Sequence, residues 1–340
     1  MKHAKKILNF LSAKKESLSP LLILTHDYPD PDALAGAFAL HYLAENVYGI
    51  RARIAYGGIV GRMENRAMVS ILRMPIHKVK PSDFRKFNSF ALIDTQPDFE
   101  NNSFPNKRKA TLVIDQHASV SRPLADLAVI DPDCGATCVL LAQALLLLSI
   151  EIPANVATAL AYGILSDTLN LYRAKRHDVI ETYLEILKFC DMKMLARIQN
   201  PLKPRKFFAT LGKAIQNAFV RQKLIVSHLG EVENPDLVSQ VADFLLTYKG
   251  MQWALCTGHY KDKLYVSFRI TNPKMDAGEV LRDVFTNRDE AGGHDSIAGG
   301  SFYVVGTTEA KWQKAEQSLI ERLQKRLRIP LKSEPYFPFR

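Results

Sequence analysis

Four short apolar runs, residues 21–24, 90–93, 111–114 and 127–130, each stop at a polar turn before residue 135. The turns read His26-Asp27-Tyr28-Pro29-Asp30-Pro31-Asp32, then Asp94-Thr95-Gln96, Asp115-Gln116-His117 and Asp131-Pro132-Asp133. Apolar runs this short, bounded by turn residues, read as buried strands. Residues 51–56, RARIAY, read as a further strand. Helical segments between them, at 33–40 and 65–72, make a parallel sheet the natural architecture, because parallel neighbours need crossover connections. The polar ends would then gather along the carboxyl edge of that sheet, where open α/β folds bind their ligands.

The chain begins with a basic amphipathic helix, residues 1–20. Beyond the sheet, helices are expected at 135–150, 153–165 and 177–198, the second leading to Ser166-Asp167-Thr168. Pro201 and Pro204 in NPLKPRK mark a linker at 199–206. From residue 207 the texture changes. A helix at 207–219 precedes a strand at 224–229. A second helix at 235–246 has Asn234 as its cap and Pro235 in its first position. Alternating residues at 252–259 and 263–270 suit a half-exposed hairpin. Then come a helix at 276–285, a glycine-rich loop at 291–300 (AGGHDSIAGG), a strand at 301–305, a charged helix at 308–328 and an aperiodic tail, 331–340. A chain of 340 residues is long for one domain and natural for two. The expected fold class is α/β, with a parallel-sheet domain over 1–198 and a smaller α/β domain over 207–330.

With 47% hydrophobic and 24% charged residues, the chain can bury a sizeable core and is not globally disordered. Its net charge of +10 suits a polyanionic partner, or simply a basic surface. Cys134, Cys138, Cys190 and Cys256 form no Cys-x-x-Cys pair, which points to a reducing, cytoplasmic setting. The first residues lack the apolar stretch of a signal peptide. The longest apolar run, 139–150, is too short to span a bilayer, so no membrane partner is expected.

His26, Asp30, Asp32, Asp94, Asp115, His117 and Asp167 would share the sheet edge. A single Asp there can be a helix cap. So many carboxylates together need cations to neutralise them. Mixed imidazole and carboxylate donors suit Mn²⁺, and less specifically Mg²⁺, Zn²⁺ or Co²⁺. Two cations roughly 3.5–4 Å apart, sharing a bridging Asp, would activate a water and steady the oxygens around phosphorus. In the second domain, Gly292 and Gly293 offer backbone N–H groups for an anion, or only a turn. Arg269 could grip phosphate with two prongs, or be an ordinary strand residue. His294 could stack on a base or bind phosphate. No Ser-His-Asp or Cys-His set suggests acyl chemistry.

These motifs resemble the DHH phosphoesterase superfamily. Thr25-His26-Asp27-Tyr28-Pro29-Asp30-Pro31-Asp32-Ala33 looks like its first motif and Ile93-Asp94 its second. Ile114-Asp115-Gln116-His117 resembles the Asp-His-His signature, and Leu165-Ser166-Asp167-Thr168 the fourth motif. Residues 267–301 are similar to the DHH-associated C-terminal domain and its glycine-histidine loop. The resemblance covers residues 20–305 and is nearest to the oligoribonuclease and nucleotide-phosphatase branch. It implies an active site in the cleft between the two domains. It also implies one Mn²⁺ on His26, Asp30 and Asp94, and a second on Asp32, Asp94, the signature histidine (His117 here) and Asp167. Mg²⁺ or Co²⁺ are alternatives. Arg269, Gly292, Gly293 and His294 would hold the substrate's distal phosphate or base. The chain departs from the pattern at Gln116, which replaces the first signature histidine, at Ala291 and at Ile270. The expected function is hydrolysis of short RNA or DNA oligonucleotides or small nucleotides by a metal-activated water. Dinucleotides and 3′-phosphoadenosine 5′-phosphate are the expected small substrates. A catalytically weakened nucleotide sensor and a pyrophosphatase or exopolyphosphatase are the alternatives. Homo-oligomer formation stays open.

Overall fold

The computed structural model describes residues 1–340 except Val120, Arg122, Pro273, Asp295 and Thr307, and omits the His294 side chain. The chain divides into two units, Met1–Pro201 and Leu202–Arg340.

The first unit runs α1 (Lys2–Leu18), β1 (Leu21–Thr25), α2 (Pro31–Tyr42), β2 (Ala52–Tyr56), α3 (Met63–Ile71), β3 (Ile76–Lys78) and α4 (Asp83–Lys86). It continues with β4 (Ser89–Ile93), β5 (Ala110–Asp115), β6 (Ala125–Ile130), α5 (Thr137–Leu147), α6 (Ala154–Asp167), α7 (His177–Leu187) and α8 (Met192–Gln199). The sheet order is β3-β2-β1-β4-β5-β6, and every pairing is parallel. β1 and β4 lie side by side at the centre, Leu21 opposite Ser89 and Thr25 opposite Ile93. The chain winds outward from β1 through β2 to β3, then restarts at β4 on the other side of β1. Strand order therefore reverses between β1 and β4, and the crevice beyond their carboxyl ends is the place such a fold offers a ligand.

Both central strands are buried at all five positions, as strands covered on both faces must be. Leu21, Ile23, Ala91 and Ile93 pack with α1, α2, α5 and α6, while Leu22, Leu24, Phe90 and Leu92 pack with Phe84, Phe87 and Phe104. Residues 31–40 of α2 are all buried. Its small side chains let α6 come close: a Cβ on Gly163 would lie 2.9 Å from Ala35 Cβ. The helix expected over 177–198 is two helices, because Asp191 accepts from the N–H groups of Lys193 (2.8 Å) and Met194 (3.0 Å) and restarts the chain as α8. β3 and α4, three and four residues long, carry no readable period.

The second unit comprises α9 (Arg205–Asn217), β7 (Phe219–Arg221), β8 (Leu224–Glu231), α10 (Asp236–Leu246), β9 (Trp253–Tyr260) and β10 (Lys263–Ile270). α11 (Ala277–Val284), β11 (Ala291–His294), β12 (Ile297–Tyr303) and α12 (Glu309–Leu327) follow. Its sheet, β11-β12-β10-β9-β8-β7, is antiparallel except between β8 and β9. α11 and α12 cover one face, α9 and α10 the other. The glycine-rich segment expected as a loop is a hairpin, with Gly292 opposite Gly299 and Gly293 opposite Ala298. Glycine is required at 293: φ is +142°, and a Cβ would collide with the Ile297 carbonyl oxygen and Ala298 Cα. Nothing crowds a Cβ at Gly292. The aperiodic tail is docked, Tyr336 exchanging backbone hydrogen bonds with Val220 at 2.7 and 3.0 Å. Among the described residues, no helix is long and apolar enough to cross a membrane.

Candidate metal centre

β1 ends at Thr25 and delivers His26 to the crevice. Asp30 follows as the N-cap of α2, its Oδ1 accepting from Ala33 N at 2.9 Å, with Pro31 in the first helical position. β4 ends at Ile93 and delivers Asp94. His26 Nε2 stands 3.6 Å from Asp94 Oδ2 and 3.8 Å from Asp30 Oδ1. The donor atoms of these three residues all lie within 4.8 Å of one another. His26 Nδ1 lies 2.8 Å from the Asp27 carbonyl oxygen. A carbonyl only accepts, so Nδ1 carries the proton and Nε2 is the face turned to the carboxylates.

Asp94 is 2% exposed and holds φ at +59°, a conformation rare for a residue with a Cβ. Its Oδ1 accepts from the Thr137 hydroxyl at 2.6 Å. Burial and then the Asp30 charge push its carboxyl up to about 7, against the pull of His26 and His117. Burial opposes charge on His26, yet the hydrogen bond and charge of Asp30 and the charge of Asp94 hold it up at about 10.

Asp32 is fully buried and turns away from this group. Its Oδ2 accepts from Thr137 N at 2.6 Å and its Oδ1 from Cys138 N at 2.7 Å, at the first turn of α5. Burial and the neighbouring charges of Asp94, Asp167 and Asp30 push its carboxyl well above the carboxylate range. Asp167 ends α6. Gln116 Nε2 reaches Asp167 Oδ2 at 2.5 Å and Asp32 Oδ2 at 3.3 Å.

His117 Nδ1 lies 2.8 Å from Asp115 Oδ1 and 3.6 Å from Asp94 Oδ1. Asp115 Oδ1 also accepts from His117 N at 3.1 Å, and its Oδ2 accepts from Gln96 Nε2 at 2.7 Å. The hydrogen bond that His117 donates to Asp115, against the cost of burial, raises the His117 pKa to about 9. Asp115 thereby orients the His117 ring.

The sequence-predicted residues of the first unit thus fall into three linked groups: His26-Asp30-Asp94, Asp32-Gln116-Asp167 and Asp115-His117. Thr137, which ties Asp32, Asp94 and Gln116 together, and Gln96, which holds Asp115, were not singled out from sequence. Their signal was position alone: Gln96 follows the strand-end Asp94, and Thr137 opens the helix after Asp133. Asp131, another strand-end carboxylate, is instead paired with Arg176 at 2.8 Å. In the second unit Arg269 is 4% exposed. Its guanidinium is bound to Asp243, to Ser267 Oγ at 2.8 Å and to the carbonyls of Phe268 and Ala298 at 3.1 Å. Gly292 and Gly293 lie in β11. The His294 side chain falls outside the described residues.

The donor set at His26, Asp30 and Asp94 fits a divalent cation: one imidazole with Nε2 turned toward two clustered carboxylates. Fold and site together define a doubly wound α/β protein with a carboxylate-imidazole centre at its switch point and a second α/β unit. Residues 221–328 match the DHHA1 domain model. An uncharacterized protein of Methanocaldococcus jannaschii is 33% identical over 322 residues, 93% of this chain and 66% of that relative's length. An exopolyphosphatase-related protein from Bacteroides fragilis shares the fold, with a TM-score of 0.73 at 14% identity over 96% of this chain and 98% of that one. The second unit thus carries a DHHA1 domain.

Proposed function

We propose that the chain is a metal-dependent phosphoester hydrolase acting on short oligonucleotides or small nucleotides, dinucleotides and 3′-phosphoadenosine 5′-phosphate among them, with Mn²⁺ as its cation. The observation that carries this reading is the convergence of His26, Asp30 and Asp94 where strand order reverses. Those three residues would hold the cation, with His26 oriented by the Asp27 carbonyl and Asp94 by the Thr137 hydroxyl. A bound divalent cation supplies Lewis acidity toward a phosphoryl oxygen and lowers the pKa of a water. His117, oriented by Asp115, would donate to a phosphoryl oxygen as negative charge develops there. Gly292, Gly293 and His294 are the second unit's candidates for the distal phosphate or base; Arg269, buried and engaged by Asp243, Ser267 and two carbonyls, is held as part of the sheet rather than free to grip phosphate.

The test is release of phosphate or mononucleotide from a di-RNA, linear and cyclic dinucleotides, 3′-phosphoadenosine 5′-phosphate, pyrophosphate and polyphosphate. Each runs with Mn²⁺ and with chelator. Turnover that needs Mn²⁺ and falls at least ~100-fold in Asp94→Asn supports the reading, because a direct metal ligand matters more than its supporting partners. Turnover confined to pyrophosphate or polyphosphate would replace esters by anhydrides as the substrate. A second reading, a nucleotide sensor with weakened catalysis, is favoured by Gln116. Nucleotide binding without turnover of any substrate would establish it in place of the enzyme.

A further inference from the structure

Asp32 and Asp167 face each other across the Gln116 amide. Its Nε2 carries two N–H groups and no acceptor, so one atom serves both carboxylates, at 2.5 Å from Asp167 and 3.3 Å from Asp32. Asp32 is served further by the first-turn N–H groups of Thr137 and Cys138, at the positive end of α5. The Asp94 oxygen turned to this side, Oδ1, accepts from the Thr137 hydroxyl, while Oδ2 faces His26. Protein donors therefore already engage the carboxylate oxygens that a cation between Asp32, Asp94 and Asp167 would need.

We infer that the chain takes one catalytic cation, at His26, Asp30 and Asp94, and that the Gln116 amide stands in for a second between Asp32 and Asp167. This deepens the proposed metal-dependent function and rests on it. Gln116 could coordinate through Oε1 only by turning Nε2 away, which would strip a donor from two carboxylates at once. The neighbouring trio Asp94, Asp115 and His117 is no replacement socket. Both Asp115 oxygens are engaged, by His117 and by Gln96, so Asp115 orients the imidazole. A one-cation centre leaves part of the developing charge to protein donors.

Metal content decides the matter without any assay of turnover. Chelator-treated protein, checked for folding by circular dichroism, is titrated with Mn²⁺, counted by elemental analysis after gel filtration and examined by electron paramagnetic resonance. Wild type should hold one Mn²⁺ per chain with the six-line signal of an isolated ion. Gln116→His should hold two, with the broadened spectrum of spin-coupled neighbours. Gln116→Ala, which removes the donor and adds no imidazole, should stay at one. Two Mn²⁺ of comparable affinity in wild type would overturn this inference and leave the proposed function standing. No uptake by folded wild type would overturn both. If Gln116→His fails to fold, the wild-type count and spectrum decide alone.

Discussion

Asp94 concentrates the charge of the centre in one side chain. Its backbone sits in the left-handed region and its carboxylate has an oxygen on each side, one toward His26 and one toward Thr137. Such a backbone costs on the order of 1–3 kcal/mol in a residue bearing a Cβ and persists where the surroundings enforce it. The carboxyl titrates at about 7 in the folded chain against 3.8 ordinarily. Its contribution to stability is complete below 3.8 and is lost as pH climbs through 7. His26, held at about 10 against 6.5, contributes fully below 6.5 and loses that contribution as pH rises through 10. Both residues carry protons that a cation must displace. Apparent Mn²⁺ affinity of the chelator-treated protein should therefore rise at least ~10-fold per pH unit between about pH 6 and 8. Calorimetric titration at three pH values in that window measures it, and a flat profile would remove His26 and Asp94 from the ligand set. The clustering of His26, Asp30 and Asp94 was legible in the sequence because His26 and Asp94 follow strand ends and Asp30 opens the next helix. Thr137 was not, because a Thr at the start of a helix looks the same whether or not it serves an Asp that stands 43 residues earlier.

At the level of elements, α5 does two jobs with one end. Its first N–H groups hold Asp32, and its first side chain holds Asp94 and also accepts from Gln116 N at 3.1 Å. Replacing the Thr137 hydroxyl by a methyl keeps the volume and leaves buried partners unmet. Thr137→Val should cost about 1–3 kcal/mol in denaturant unfolding and weaken Mn²⁺ retention in the same sample. A loss of stability with unchanged metal content would confine Thr137 to folding. The close crossing of α2 and α6 sets a second limit. Gly163→Ala puts a methyl 2.9 Å from both Ala35 Cβ and Cys138 Sγ, and overpacking of this kind costs typically 1–3 kcal/mol. A stable Gly163→Ala would mean that the helices have room to separate. The central strands were readable because each is a continuous apolar run. β11 was not, because glycine is poor strand material taken alone. It becomes a strand only by pairing with Gly299 and Gly300 across a tight hairpin, a fact that needs the partner strand in place.

On the scale of the whole chain, each unit closes its own core. The first buries both faces of its parallel sheet, and the second covers both faces of its mixed sheet with α9 and α10 on one side and α11 and α12 on the other. The tail belongs to the second unit, tied by the Tyr336–Val220 pairing and by ring contacts from Phe337 to Phe219 and Phe339 to Tyr248. Between the units, residues 200–204 form neither helix nor strand, and Leu202 is 97% exposed. Exposed irregular backbone is where a protease cuts a native protein first. Brief subtilisin digestion should therefore cleave within 200–204 before it touches either unit. The larger product should keep its Mn²⁺, since His26, Asp30 and Asp94 all lie within Met1–Pro201. The smaller product should run to Arg340, because the docked tail denies the protease the last ten residues. Mass spectrometry of the two fragments and elemental analysis of the larger one read both points. Early loss of the tail, or simultaneous decay of both units, would show that they do not hold together separately.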